Sequence, residues 1–501
     1  MRIPSLALFA ALSSASAASN ECSMSPEDAL AEVARITLSL KAAGYKVTAG
    51  KANWFLPFDG QGPENPSGTY MEYSFPTTAF PEPEFCDVNM ETCQIPHLTQ
   101  SVLLGASDAL LYVGCTPPES RYFATDMMVS SRFGSTIGYT DDDPDSGIPS
   151  NWAPGCPFGD AHNHLAMQNF DWSSPLATIT SFNSQTSSDV QAALADAGDT
   201  PSTVYALNSS LVYLWADKSE SMFDTRPDSF RPLIRWSVPL DGTDADNVQE
   251  YYSQTWPVLL VAREEASDQD DALFEPELLP RGGHGINEVD ELTETMKEVQ
   301  GNLTKSFKKA GLTLSAESHS DKDFLGMGDD FARVLTDWNY GGDWLNTRDA
   351  VYGNPPDGGV SSDCFMSDVG VGVLVGIAHT KLKKSVYNNV GATTDDFSFV
   401  KWFTDSDMDE LGCYSDESVF VIYYRYPNSP WECPEGAGCC LTMDTAPEGG
   451  AVLTQGERIY LDPKTKTGPG IDEVIAVDLL IFDDPDVNAR QKLEFLSKKK
   501  E

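Results

Sequence analysis

Leu176-Ala177-Thr178-Ile179-Thr180-Ser181-Phe182 is followed by the run Ser188 to Ala197 and then by Val204-Tyr205-Ala206-Leu207. The outer pieces are short, apolar and rich in β-branched residues, which is the pattern of buried strands. Between them Val190, Ala193, Leu194 and Ala197 recur at helical spacing, and Gly198 stops the run. The stretch therefore predicts a strand-helix-strand unit. Working outward, Ala109 to Val113 before Gly114 predicts a further buried strand. Asp244 to Thr255 predicts a helix that leads past Pro257 into a strand over Val258 to Ala262. Alternating strands and helices between about 100 and 263 imply a mixed α/β layer.

Nearer the start, Ser25 before Pro26, with Asp28 three residues on, marks a helix N-terminus. Ala29, Val33, Ile36, Leu40 and Ala43 give that helix one apolar face, and Gly44 ends it. From Lys51 to Gln100 prolines, glycines and aromatics predict loops or short strands. Glu264 to Gly283, with Asp268, Asp270, Asp271, Glu275 and Glu277, reads as an acidic linker or long surface loop. Beyond it Val289, Leu292, Met296, Val299, Leu303 and Ala310 predict a core-facing helix that starts at Asn287 and stops at Gly311. A helix over Asp330 to Trp338 is also expected, followed by strands over Val369 to Ala378, Ser418 to Tyr426 and Val474 to Phe482. The expected architecture is α+β and disulfide-bonded: a leader at 1–17, a mixed α/β domain at 18–263, the linker at 264–283, and an α+β domain at 284–501 whose C-terminal part is β-rich.

Composition narrows the function classes. The chain has 501 residues, 76 acidic against 33 basic, a formal charge of −43 and 41% hydrophobic residues. That apolar content supports folded cores, and the missing basic surplus speaks against nucleic-acid or anionic-membrane partners. Arg2, the apolar run Leu6 to Leu12 and Ala15-Ser16-Ala17 form the pattern of a secretory leader, with the mature chain expected from Ala18. No later stretch is apolar enough for a transmembrane segment. The ten cysteines, even in number and without metal-site spacing, are expected to form disulfides on an exported chain. Cys86 with Cys93, and Cys433 with Cys439 or Cys440, are near enough to close small loops. Asn208-Ser209-Ser210 and Asn302-Leu303-Thr304 are acceptor sequons for glycosylation, and Asn428-Ser429-Pro430 is a poorer one.

Asp160-Ala161-His162-Asn163-His164 is the sharpest chemical cluster. In an extended segment Asp160, His162 and His164 point to one side and could converge on a zinc-like divalent metal. Together with Pro154-Gly155 and Leu165 these residues resemble the first metal motif of the amidohydrolase superfamily, in which the His pair holds a metal that activates water. A comparison with cupins, using Gln168, Gly282, His284 and Asn287, fails on spacing. Calcium is the other candidate cofactor: Asp405, Asp407 and Asp409 alternate as oxygen ligands would, with Asp416 at the twelfth place, although Glu410 stands where an EF-hand loop needs glycine. Asp141, Asp143 and Asp145 form a similar acidic turn. Arg226, Arg231 and Arg235 suggest either an anion-binding patch or pairing with local aspartates such as Asp224 and Asp228. His379, at the end of an apolar run, and Arg348-Asp349 are the candidate catalytic groups.

A wider resemblance covers most of the chain. Gly114-Cys115-Thr116-Pro117-Pro118, Arg121-Tyr122-Phe123, Asn346-Thr347-Arg348-Asp349, Gly376-Ile377-Ala378-His379-Thr380 and Tyr387-Asn388-Asn389 are similar to a family of uncharacterised secreted proteins of microbial eukaryotes. That resemblance implies no named activity. Its pattern keeps the aspartate and asparagine matching Asp160 and Asn163 without requiring His162 and His164, so it weighs towards Arg348, Asp349 and His379. No nucleophile elbow, phosphate loop, zinc helix or dinucleotide fingerprint occurs. Two function classes follow: a secreted acidic glycoprotein that binds a small-molecule or ion ligand such as calcium, and an extracellular metal-assisted hydrolase or lyase.

Overall fold

The computed structural model describes residues 22–55, 68–76, 98–99, 102–131, 152–198, 200–215, 227–237, 245–263, 272–320, 349–353, 364–394, 400–427, 429–434, 438–443 and 450–498. The leader at 1–17, Cys86, Cys93, the acidic turn at 141–145, Arg226, Arg348, most of the acidic linker's first half and the helix expected at 330–338 lie outside them. The chain is α+β and disulfide-bonded.

A 12-stranded sheet takes its strands from residues 45 to 263. Its central path runs Ser202–Ala206, Pro175–Ser181, Ala109–Cys115, Thr255–Arg263, Tyr45–Phe55, Gly68–Pro76, Ser229–Ser237, Phe123–Ser131 and Trp152–Pro157. The first two strands flank the helix Ser184–Ala197 and pair in parallel, Val204 opposite Ile179, while the other neighbours on the path are antiparallel. All seven residues of Ala109–Cys115 are buried, which fits a strand covered on both faces.

The helix Pro26–Ala42 begins as its sequence dictates, with Ser25 and Asp28 capping each other reciprocally. It lays Ala29, Val33, Ile36 and Leu40 into the same core as Val258, Leu259 and Val261 of the sheet. Gly44, at φ +88°, turns the chain out of this helix into Tyr45–Phe55. A disulfide between Cys22 and Cys115 ties the lead-in of the helix to the end of the strand Ala109–Cys115.

The C-terminal half is a sandwich. One five-stranded sheet runs Thr313–His319, Asp478–Asp483, Val371–Ile377, Val419–Arg425 and Cys439–Thr442. The other runs Ala350–Gly353, Ala451–Tyr460, Tyr387–Thr394 and Val400–Thr404, with Phe365–Met366 beside Ala451–Tyr460. Leu374, Phe420, Ile422 and Ile481 of the first sheet meet Val390, Ala392, Phe403 and Leu453 of the second in one core. The helix Glu288–Lys309 covers the opposite face of the first sheet, with Met296 and Phe307 against Val373, Val375, Leu480 and Phe482. Cys439 and Cys440 are adjacent in an edge strand, and successive strand residues face opposite ways. Cys439 accordingly joins the sandwich core and bonds Cys413, whereas Cys440 faces the helix side and bonds Cys433. The outer face of the second sheet meets the large sheet through a seam of Tyr122, Ala124 and Ala161 on one side and Ala350, Tyr352, Tyr387 and Tyr460 on the other.

Candidate functional site

His379 follows the strand Val371–Ile377 into the space between the two sandwich sheets and the start of the covering helix, and it is fully buried. Its Nδ1 lies 2.7 Å from Oε1 of Glu288, the first residue of that helix, and its Nε2 lies 3.3 Å from Oε1 of Glu457 in the second sheet. Each glutamate is held from behind by a backbone N–H: Ile475 donates to Glu288 and Val477 to Glu457, while the Asn388 side-chain amide donates to the remaining Glu457 oxygen. Burial pulls an imidazolium down, but Glu288 and Glu457 outweigh it, and the pKa of His379 is raised to about 10. The ring is therefore a buried cation at neutral pH, joining three layers. The Asn388 backbone N–H donates to Asp405 at 3.0 Å. Burial raises Asp405, the Asn388 N–H and Arg121 oppose it, and the balance leaves its pKa at about 7.

Asp349 lies in the seam between the two halves. The Asn163 amide donates to both of its carboxyl oxygens at 3.1 Å and to the Lys466 carbonyl at 2.8 Å, and the Tyr122 hydroxyl donates to Oδ2 at 3.0 Å. Nearby, Arg235 pairs with Asp126 in adjacent strands of the large sheet. Burial and the Asp126 charge push Asp349 well above the ordinary carboxyl range, against the hydrogen bonds from Asn163 and Tyr122. Asp349 is bonded by Asn163 and Tyr122, whereas His379 lies between Glu288 and Glu457, and Arg348 is outside the described residues.

Asp160, His162 and His164, the expected metal ligands, each have other partners in the structure. His162–Asn163 pairs as a two-residue strand and the chain turns at His164. His162 turns towards Thr203, with its Nε2 2.7 Å from Oγ1, and stacks on Tyr205. His164 lies against Phe170 and Trp172, and the Phe123 N–H reaches its Nδ1 at 3.5 Å. Asp160 accepts from the Leu279 N–H at 2.5 Å. Burial lowers the pKa of both histidines to about 4, with the Phe123 contact opposing it at His164, so both rings are neutral. Among the described residues no group of three or more His, Cys, Asp or Glu side chains is placed to hold a metal ion.

The calcium loop expected at Asp405, Asp407 and Asp409 is instead the short helix Asp405–Glu410. Thr404 caps it, Asp407 folds back onto the Thr404 N–H and hydroxyl, and Asp409 pairs with Lys381 at 2.8 Å. Asp416 caps the next turn through the Ser418 and Val419 N–H groups. An acidic run in the first turn of a helix satisfies its free N–H groups, and that use competes with ligating an ion. Of the arginine patch, Arg231 pairs with Glu72 and Arg235 with Asp126, both on neighbouring strands of the large sheet, and Asp224 lies outside the described residues.

Sequence reasoning missed Glu288, Glu457, Asn163 as a seam residue, and the cradle around Glu473. Gly282, at φ +73°, sits where a Cβ would meet the Glu473 carboxyl at 2.9 Å. Gly283 N–H and the buried Lys384 ammonium both donate to that carboxylate, at 2.7 and 2.5 Å. The glycines before Asn287 are a seat for an internal side chain, which anchors the end of the linker to the C-terminal half.

No family model matches the chain, and no curated protein does. Among solved structures the chain is similar to an uncharacterised protein from Burkholderia cenocepacia at 9% identity and a TM-score of 0.36, covering 92% of this chain and 89% of that one. It is also similar to a Vibrio parahaemolyticus protein solved by a structural genomics consortium, at 11% identity and a TM-score of 0.36, covering 91% and 98%. Likenesses this low carry nothing over to the fold or chemistry of this chain.

Proposed function

We propose that the chain is an exported, non-catalytic acidic glycoprotein that binds a cationic ligand outside the cell, calcium being the ion of that chemistry. The enclosure of His379 carries the reading. A general base must be neutral and must reach a proton on its substrate, whereas this imidazole is sealed between two carboxyl groups that keep it protonated. Asp349 is sealed as well, among Asn163, Tyr122 and the Lys466 loop. The chemistry the chain offers a partner in this reading is its acid surplus, a formal charge of −43. Such a field attracts cations at long range and is screened by salt over about 8–10 Å at physiological ionic strength. The leader pattern and, among the described residues, the cysteine pairs Cys22–Cys115, Cys413–Cys439 and Cys433–Cys440 support passage through an oxidising route.

The test is thermal unfolding with millimolar calcium at low and high sodium chloride, alongside metal analysis of protein purified without chelator. The reading expects calcium to raise Tm by a few degrees at low salt, an effect that shrinks at about 0.5 M sodium chloride as screening tightens. A Tm indifferent to calcium contradicts it. So does stoichiometric transition metal that disappears in His162→Ala with His164→Ala.

A further inference from the structure

We propose that Asn302 carries an N-linked glycan and that Asn208 stays bare. The inference rests on the export reading above and adds to it the place of the modification. Both residues head acceptor sequons, but the fold treats them differently. Asn302 lies midway along the helix Glu288–Lys309, on the face with Glu298, Lys305 and Ser306, all exposed. The residues that face the sheet, Val299, Leu303 and Phe307, lie on the other side. A Cβ added at the preceding Gly301 meets nothing within 4 Å, so the surface beside Asn302 is open.

Asn208 is committed. Its Oδ1 accepts from the Ser210 N–H at 3.0 Å and the Ser210 hydroxyl at 2.6 Å, and its Nδ2 donates to the Pro276 carbonyl at 3.2 Å. Ser209 N–H and its hydroxyl both reach the Phe274 carbonyl at 3.1 Å. The second half of the linker is thereby clamped over this turn, and a sugar on Nδ2 competes with Pro276 for the same nitrogen. A chain modified there must give up part of the clamp to fold, whereas one modified at Asn302 gives up nothing.

The chemistry is a glycosyl transfer without redox change. The asparagine nitrogen bonds to the anomeric carbon of a lipid-pyrophosphate-linked oligosaccharide, the carbon–oxygen bond to the pyrophosphate breaks, the lipid pyrophosphate leaves with the electron pair, and one amide proton passes to a base.

The full-length chain, Asn208→Gln and Asn302→Gln are expressed in a eukaryotic secretory host, and the mass of each product is measured before and after peptide N-glycosidase. The expected result is one glycan on the parent, one on Asn208→Gln and none on Asn302→Gln. A glycan that survives in Asn302→Gln, one that is lost in Asn208→Gln, or a parent with none overturns the proposal. The same three chains are also expressed behind a leader of known function in place of residues 1–17. If only these reach the medium, the export reading fails while their masses still decide the glycan assignment.

Discussion

His379 and the pair His162 and His164 are the same side chain in two buried settings, and they carry opposite charges of argument. All are largely or wholly enclosed, so burial alone disfavours the imidazolium in each. Around His162 and His164 lie a threonine hydroxyl and aromatic rings, which offer no compensating charge, and both pKa values fall to about 4. Around His379 lie two carboxyl groups at 2.7 and 3.3 Å, and the pKa rises to about 10. Composition around the ring, rather than depth, decides its charge. The sequence motif containing His162 and His164 looked like the chemically active one; the isolated His379 is where the charge resides.

The largest expected effect comes from breaking the charged case. His379→Ala leaves Glu288 and Glu457 facing each other without a cation, and removal of one partner from a buried ionic group costs about 3–5 kcal/mol. Chemical unfolding of parent and variant at pH 7 measures it, and a loss below about 1 kcal/mol would mean that the two carboxyls need no cation. The pH dependence has a defined sign. The folded pKa of His379 is raised above the ordinary 6.5, so its stabilisation is complete below 6.5 and is lost as pH rises towards about 10. His379→Ala should remove that alkaline loss.

The neutral pair gives the opposite slope. Their folded pKa values lie below 6.5, so the unfolded chain takes up protons first and stability falls as pH drops from 6.5 towards 4. At about 1.4 kcal/mol per pKa unit the loss approaches about 3 kcal/mol for His162 and less for the more exposed His164. Asp405 works against this: its pKa is raised from 3.8 to about 7, so its contribution improves as pH falls across that interval. His162→Gln with His164→Gln should therefore flatten or reverse the acid limb of the Tm-against-pH curve. Parallel acid limbs in parent and double variant would show that the rings are not held neutral.

Two smaller changes sharpen the contrast. Thr203→Val removes the hydroxyl beside His162 Nε2 and should cost about 1–2 kcal/mol, the penalty of a buried polar atom left without its partner. Asp407→Asn weakens the cap on Thr404 by less than about 1 kcal/mol and should leave any calcium-induced rise in Tm unchanged, because the Asp407 carboxylate is engaged by the Thr404 N–H and hydroxyl. A calcium response abolished in Asp407→Asn would restore the loop reading.

Much of the first half was legible because its strands are apolar. The strand-helix-strand unit between 175 and 206, the buried Ala109–Cys115 and the reciprocal cap at Ser25 each follow from local pattern. Ser229–Ser237 was hidden by Pro232 and by two arginines that invited a ligand-site reading, yet it lies inside the sheet between Gly68–Pro76 and Phe123–Ser131. The second sandwich sheet left almost no apolar signal. Its central strands carry Asn388, Asn389, Gln455 and Glu457 at buried positions, and a polar strand interior is invisible to hydrophobic periodicity. The site was obscured for the same reason. His379 was found from its place at the end of an apolar strand, but its partners come from a helix start 91 residues upstream and a strand in another sheet, contacts that no local spacing encodes. Asp405, Asp407 and Asp409 misled because alternating acids serve a helix N-terminus as well as a calcium loop.

The most direct measurement is a nitrogen-detected NMR titration of the six imidazoles on the folded protein from pH 4.5 to 9. The account predicts that His379 keeps imidazolium shifts across the whole range while His162 and His164 stay neutral down to about pH 5. A His379 signal that loses its proton between pH 6 and 7, as a free histidine does, would make the ring an available base and return the protein to the enzymes.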